Sequence, residues 1–61
     1  MELEINKKYI VKGLPNPIGR IINGDIVETN DIRTRLPFVG VYGITHPESA
    51  YIKKEYLFEI K

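Results

Sequence analysis

Phe38-Val39-Gly40-Val41-Tyr42-Gly43-Ile44-Thr45 is the run that decides the fold class, because β-branched and aromatic residues fill it and no 3.6-residue apolar spacing passes through it. It reads as a strand near 38–45, the central one of a sheet, with both faces largely covered. Its two glycines permit a sharp coil or a close backbone approach. Toward the C-terminus, His46-Pro47-Glu48-Ser49 forms a turn, Ala50-Tyr51-Ile52-Lys53 a further strand and Leu57-Phe58-Glu59-Ile60 the last one. Lys54-Glu55-Tyr56, between those two, is long enough for one 3₁₀ turn. Toward the N-terminus, the polar stretch from Asn30 to Pro37 reads as an exposed loop and Asp25-Ile26-Val27-Glu28-Thr29 as a strand. Asn23-Gly24 is a two-residue turn signal of type I′, since both residues tolerate positive φ.

Gly13-Leu14-Pro15-Asn16-Pro17-Ile18-Gly19 combines two donorless prolines with two glycines, which predicts an irregular loop from which Arg20-Ile21-Ile22 returns as a short arm. Lys8-Tyr9-Ile10-Val11-Lys12 is the first strand, and the alternation of Leu3 and Ile5 with Glu2 and Glu4 extends it toward the N-terminus. Short strands near 8–12, 25–29, 38–45, 50–53 and 57–60, with two long irregular connections, predict an all-β chain folded as a small five-stranded barrel that closes its own edges.

With 61 residues, 43% of them hydrophobic, the chain has room for one core, so residues 1–61 form a single domain. Cysteine is absent, which removes disulfides and thiolate zinc sites and leaves stability to packing. The apolar runs fall far short of the ~20 residues that span a bilayer. The acidic opening Met1-Glu2-Leu3-Glu4 is unlike a signal peptide, so a cytoplasmic protein without a membrane partner is expected. Nine basic against eight acidic residues give +1, too little by itself to argue for nucleic acid.

The order of these pieces resembles the Src-homology-3 (SH3) barrel. Gly24-Asp25-Ile26-Val27-Glu28 is similar to the Gly-Asp-apolar-apolar-Glu segment that opens that family's second strand, and is shared by other small barrels of the KOW and Tudor types. Tyr51-Ile52-Lys53-Lys54-Glu55-Tyr56-Leu57 resembles the family's aromatic-apolar-Pro-Ser-Asn-Tyr-Val segment, which runs through a 3₁₀ turn into the fifth strand. Gly40 stands where a small residue follows the family's paired tryptophans, and the 46–49 turn where its distal hairpin lies. The likeness covers about residues 8 to 60. It implies an SH3-like fold and, at Tyr9, Phe38 and Tyr56, the remnant of a peptide groove. Lys53 replaces the groove proline, Glu55 the asparagine, and Pro37 or Phe38 the tryptophan, so the likeness does not extend to ordinary proline-motif binding.

Catalysis needs convergent groups, and the chain offers one histidine and one serine. His46 and Ser49 share a turn with no orienting acid evident, and His46 with Glu48 would leave a zinc ion half coordinated. The acidic pairs Glu2 with Glu4 and Asp25 with Glu28 read as solvated strand edges and turns. The glycines of 13–19 precede no helix and so make no phosphate cradle. No catalytic residue, metal, cofactor or small-molecule substrate is expected.

Binding is the better reading. The 30–37 loop mixes Ile32 and Leu36 with Arg33 and Arg35, a composition enriched at interface hot spots, and the other long loop carries Leu14, Pro15, Pro17 and Ile18. A non-enzymatic module that binds another protein through Pro15, Ile18, Arg33, Arg35 and Leu36 is expected. These apolar loop residues would otherwise cap the barrel ends. The alternative is a small nucleic-acid-binding barrel in which Lys7, Lys8, Lys53 and Lys54 contact phosphates beside tyrosine stacking faces. A composition rich in isoleucine and lysine and poor in alanine suits an AT-rich bacterial or bacteriophage gene. By analogy with small phage proteins, an inhibitor or modulator of a host protein is expected.

Overall fold

The computed structural model describes residues 3–60, and Glu2, read together with Glu4 as a solvated strand edge, lies outside them. Five strands lie among the described residues: β1 (Lys8–Val11), β2 (Ile26–Asp31), β3 (Phe38–Gly43), β4 (Ser49–Lys53) and β5 (Leu57–Glu59), with a 3₁₀ turn at Lys54–Tyr56. All pairings are antiparallel, in the order β4-β3-β2-β1-β5. The middle strand is therefore β2, and β3 lies between it and β4. The two strands at the ends of the order, β4 and β5, are chain neighbours joined through the 3₁₀ turn alone.

Each strand turns one row of side chains inward. Tyr9, Val11, Val27, Thr29, Val39, Val41, Ile52 and Leu57 are buried, and Ile21 and Leu14 from the first long loop complete the core. Each fully buried aliphatic of this size contributes ~1.5–3 kcal/mol. Thr29 is the polar member of the row, and its hydroxyl donates to the Glu4 carbonyl and accepts from Lys7 N–H at 3.2 Å. The buried Tyr9 hydroxyl accepts from Glu4 N–H at 2.8 Å. These bonds strap residues 4–7 across β1 and β2 and satisfy buried groups that would otherwise cost stability.

The N-terminal alternation does not extend β1. Asn6 takes φ +59° and donates its N–H to the Thr29 carbonyl at 2.8 Å, so the chain turns at residues 5–6 and leaves Ile5 exposed. Asn23-Gly24 is a turn, but not of type I′. Only Gly24 has positive φ (+95°), and Asp25 N–H bonds to the Ile22 carbonyl at 3.1 Å, the arrangement of type II. Asn23 serves another purpose: its Oδ1 accepts Leu14 N–H at 2.8 Å and its Nδ2 donates to the Leu14 carbonyl at 3.0 Å, clamping the 13–19 loop. The tight hairpin lies earlier, where Ile18 and Ile21 exchange backbone bonds of 3.0 and 2.9 Å around Gly19 at φ +59°.

β2 runs two residues beyond its expected end through a bulge between Thr29 and Asp31. β3 stops at Gly43 because the following turn folds back on it. Gly43 N–H bonds to the Glu48 carbonyl at 2.8 Å, and the His46 carbonyl oxygen lies 2.1 Å from where a Cβ on Gly43 would stand. The expectation that both faces of this strand are covered also fails. Its inward face is buried, whereas Phe38 and Tyr42 are 42% and 45% exposed on the other.

Candidate interaction surface

The open face of β3 continues onto β4. Side chains alternate along a strand and directly paired residues share a face, so Gly40 opposite Tyr51 places Tyr51 beside Phe38 and Tyr42. The same register puts Lys53 opposite Phe38 and Ser49 opposite Tyr42. Gly40 makes room for this arrangement: a Cβ there would meet Asn30 Oδ1 at 2.7 Å and Tyr51 Cε1 at 3.2 Å. The Tyr51 ring thus rests on bare backbone.

The 31–37 loop is fastened to this ring. Asp31 Oδ1 accepts the N–H groups of Arg33 at 3.2 Å and Thr34 at 3.1 Å, while Tyr51 donates its hydroxyl to Asp31 Oδ2 at 3.3 Å. The Thr34 and Arg33 amides hold the Asp31 carboxyl below the ordinary aspartate value. The turn so formed lays the Arg35 guanidinium over the Tyr51 ring, 5.0 Å from its centroid, a cation–π contact. At the loop's far end Phe38 N–H bonds to the Arg35 carbonyl at 2.7 Å and Lys54 N–H to the Pro37 carbonyl at 3.0 Å. The Leu36-Pro37 peptide is cis, and Leu36 is 57% exposed. Arg35, Phe38, Tyr51 and Lys53 therefore belong to one surface, bordered by the loop that carries exposed Leu36 and Arg33, the latter lining a groove with Ile5 and Ile32.

The other expected contacts are dispersed. Ile18 is partly buried against the core with Leu14, so these two cap one end of it, and Pro15 is left exposed in the same loop. Tyr9 is not a groove residue. It is fully buried, and Lys7 lies over its ring at 5.6 Å. Tyr56 is half-buried against the core beside Gly13, and Phe38 is the one of the three groove candidates that stands well exposed.

The four lysines differ in their surroundings. Lys7 bonds to Glu4 at 3.1 Å and lies 3.9 Å from Glu59, and the Glu4 bond holds its ammonium above the ordinary lysine range. Lys8 stands opposite Glu28 in the β1–β2 register. Lys53, opposite Phe38, flanks the aromatic face, whereas Lys54 in the 3₁₀ turn lines a cleft with Leu3, Glu55, Leu57 and Phe58.

His46 meets neither Ser49 nor Glu48. Its Nδ1 lies 2.7 Å from Oδ2 of the buried Asp25, and the Glu48 carboxylate instead accepts Arg20 N–H at 3.1 Å beside Gly19. These contacts tie the 44–48 turn to the start of β2 and to the 18–21 hairpin.

Sequence reasoning named Arg33, Arg35, Leu36 and Phe38 but not Tyr42 and Tyr51 as partners of that group. The expected 46–49 turn counts back to Gly40 opposite Glu55; the hairpin instead closes between Gly43 and Glu48, and that shift of register is what brings Tyr51 opposite Gly40. The chain matches no protein-family model, no curated protein and no solved structure.

Proposed function

We propose that this chain is an SH3-like barrel and a non-catalytic module that binds another protein through the outer face of β3 and β4 and the 31–37 loop. The barrel reading is supported by the strand order, in which the end strands β4 and β5 are halves of one course interrupted by a 3₁₀ turn. Closure of the sheet follows if those halves bend around the core as they do in SH3 barrels.

The binding reading is carried by one observation: Arg35 stacked on Tyr51 beside exposed Phe38, Tyr42 and Leu36. Tyrosine and arginine are enriched at interface hot spots, tyrosine because its rigid ring brings large contact area with little rotamer freedom to lose and arginine because its planar fork makes paired hydrogen bonds. Here the Arg35–Tyr51–Asp31 contacts order both side chains before a partner arrives, which lowers the cost of binding. A modulator that occupies a surface of another protein needs no more than this.

A nucleic-acid surface is the second reading, favoured by exposed Phe38 and Tyr42 on the face that carries Lys53. It is the weaker one, because Arg35 lies over the Tyr51 ring and carboxylates engage Lys7.

The test is capture of a partner from bacterial lysate with and without nuclease, followed by affinity measurement for Tyr51→Ala and for Arg33→Ala with Arg35→Ala. Nuclease-resistant capture, with a loss of about thirtyfold or ~2 kcal/mol for each variant, is expected. Undiminished affinity in both variants removes this surface from consideration.

A further inference from the structure

Which groups on this surface lack an internal partner decides what it binds. Among the described residues, the ion pairs are Lys7 with Glu4, Lys7 with Glu59, and His46 with Asp25. Among these residues, Arg33, Arg35, Lys53 and Lys54 have no described carboxylate within ion-pair distance. The acid closest to them in the loop, Asp31, is committed to two backbone amides and the Tyr51 hydroxyl. Segments 31–38 and 51–56 hold four of the chain's nine basic residues and two of its eight acidic ones, so the small net charge conceals a local cationic excess.

We infer that the surface takes an extended acidic peptide segment of a partner protein, with at least one bulky apolar side chain between its carboxylates. This rests on the protein-binding reading above and names the partner's chemistry. Leu36 and Phe38 offer the apolar contact, since both are largely exposed. The Arg35 guanidinium is held over the Tyr51 ring, 5.0 Å from its centroid, and a guanidinium fork receives a carboxylate through two parallel bonds. Lys53, paired in register with Phe38, puts a second cation beside the apolar contact. A phosphate backbone would satisfy the cations as well, but Arg35 already lies over the Tyr51 ring where a base would stack, which favours the peptide.

The experiment titrates the isotope-labelled full chain with four probes while following backbone amide resonances. The probes are a short peptide alternating Glu with Leu around a central Phe, the same peptide with every Glu replaced by Gln, a Lys-for-Glu version, and a short oligothymidylate. The acidic peptide is expected to move residues 33–38 and 51–54 and to bind at least tenfold more tightly than the Gln version. Arg33→Glu with Arg35→Glu should reverse the preference toward the Lys peptide, a change that mere loss of structure does not produce.

Equal binding of the Glu and Gln peptides overturns the acidic-segment assignment while leaving the protein-binding surface standing. Tighter binding of oligothymidylate at the same residues overturns both. No shift at these residues with any peptide up to about 1 mM also overturns the assignment. Partner capture then judges the broader reading independently.

Discussion

Gly40 and Gly43 stand three residues apart in one strand and are needed for different reasons. A Cβ on Gly43 would collide with the His46 carbonyl oxygen at 2.1 Å, and that oxygen belongs to backbone that closes the β3–β4 turn. Gly43→Ala is expected to cost ~3 kcal/mol or more, read as a lowered urea midpoint. At Gly40 the nearest atoms are side chains of Asn30, Asp31 and Tyr51, which can move. Gly40→Ala should leave the fold within ~1–3 kcal/mol of wild type. It should displace the Tyr51 ring and weaken partner binding, so stability and affinity separate at this site. Asn23 makes the same distinction between a residue's type and its use. As a turn former it was legible in the sequence, but its amide bonds to both backbone groups of Leu14 were not, because they join positions nine apart in a loop without periodicity. Asn23→Asp removes the donor, leaves the Leu14 carbonyl unpaired and should cost ~1–3 kcal/mol by denaturation.

Strands were legible where turn formers bound them. The 3₁₀ turn at Lys54–Tyr56 and the starts of β1 and β3 fall where the sequence places them. What the pattern concealed was which face of β3 is open. Phe38-Val39-Gly40-Val41-Tyr42-Gly43 has no charged residue at any position, so nothing in the alternation distinguishes the buried valines from the exposed aromatics. The 31–37 loop shows the opposite case, where polarity correctly announced exposure but not the order imposed by Asp31. That order should depend on pH. The Thr34 and Arg33 amides lower the folded-state value of Asp31 below 3.8. Its bonds to the loop are therefore fully present above the ordinary aspartate range and are lost as pH falls through the lowered value. An acid titration followed by amide resonances should show Arg33 and Thr34 moving together, with a midpoint below 3.8. Tyr51 should follow them, because its hydroxyl bonds to the other carboxylate oxygen. A midpoint at or above the ordinary value would show that the turn does not hold Asp31.

At the scale of the whole molecule, net charge and charge placement lead to different expectations. Lys7 is engaged by acids and Tyr9 is buried, so neither is free for the cationic face or the aromatic groove that nucleic-acid and proline-motif binding would use. Proline-rich peptides should accordingly bind with Kd weaker than roughly 10 μM, about −7 kcal/mol, by fluorescence anisotropy. Salt separates the remaining readings. Six to ten phosphate contacts would cost about 10³–10⁵ in affinity between 50 and 200 mM salt, through release of condensed counterions. A protein partner held by Arg33, Arg35 and the apolar contacts of Leu36 and Phe38 loses only the screened part of a few charge pairs, because the Debye length shortens modestly over that range and the apolar term is untouched. Affinity for the captured partner should therefore fall by no more than about tenfold across the same salt range. Arg33→Ala with Arg35→Ala should weaken binding at both salt concentrations, since it also removes the guanidinium stacked on Tyr51. Lys53→Ala with Lys54→Ala should matter chiefly at low salt, where long-range attraction speeds encounter. Equal and steeply salt-dependent losses in both variants would mean that the four cations act as one phosphate-binding surface and that the aromatic face serves nucleic acid.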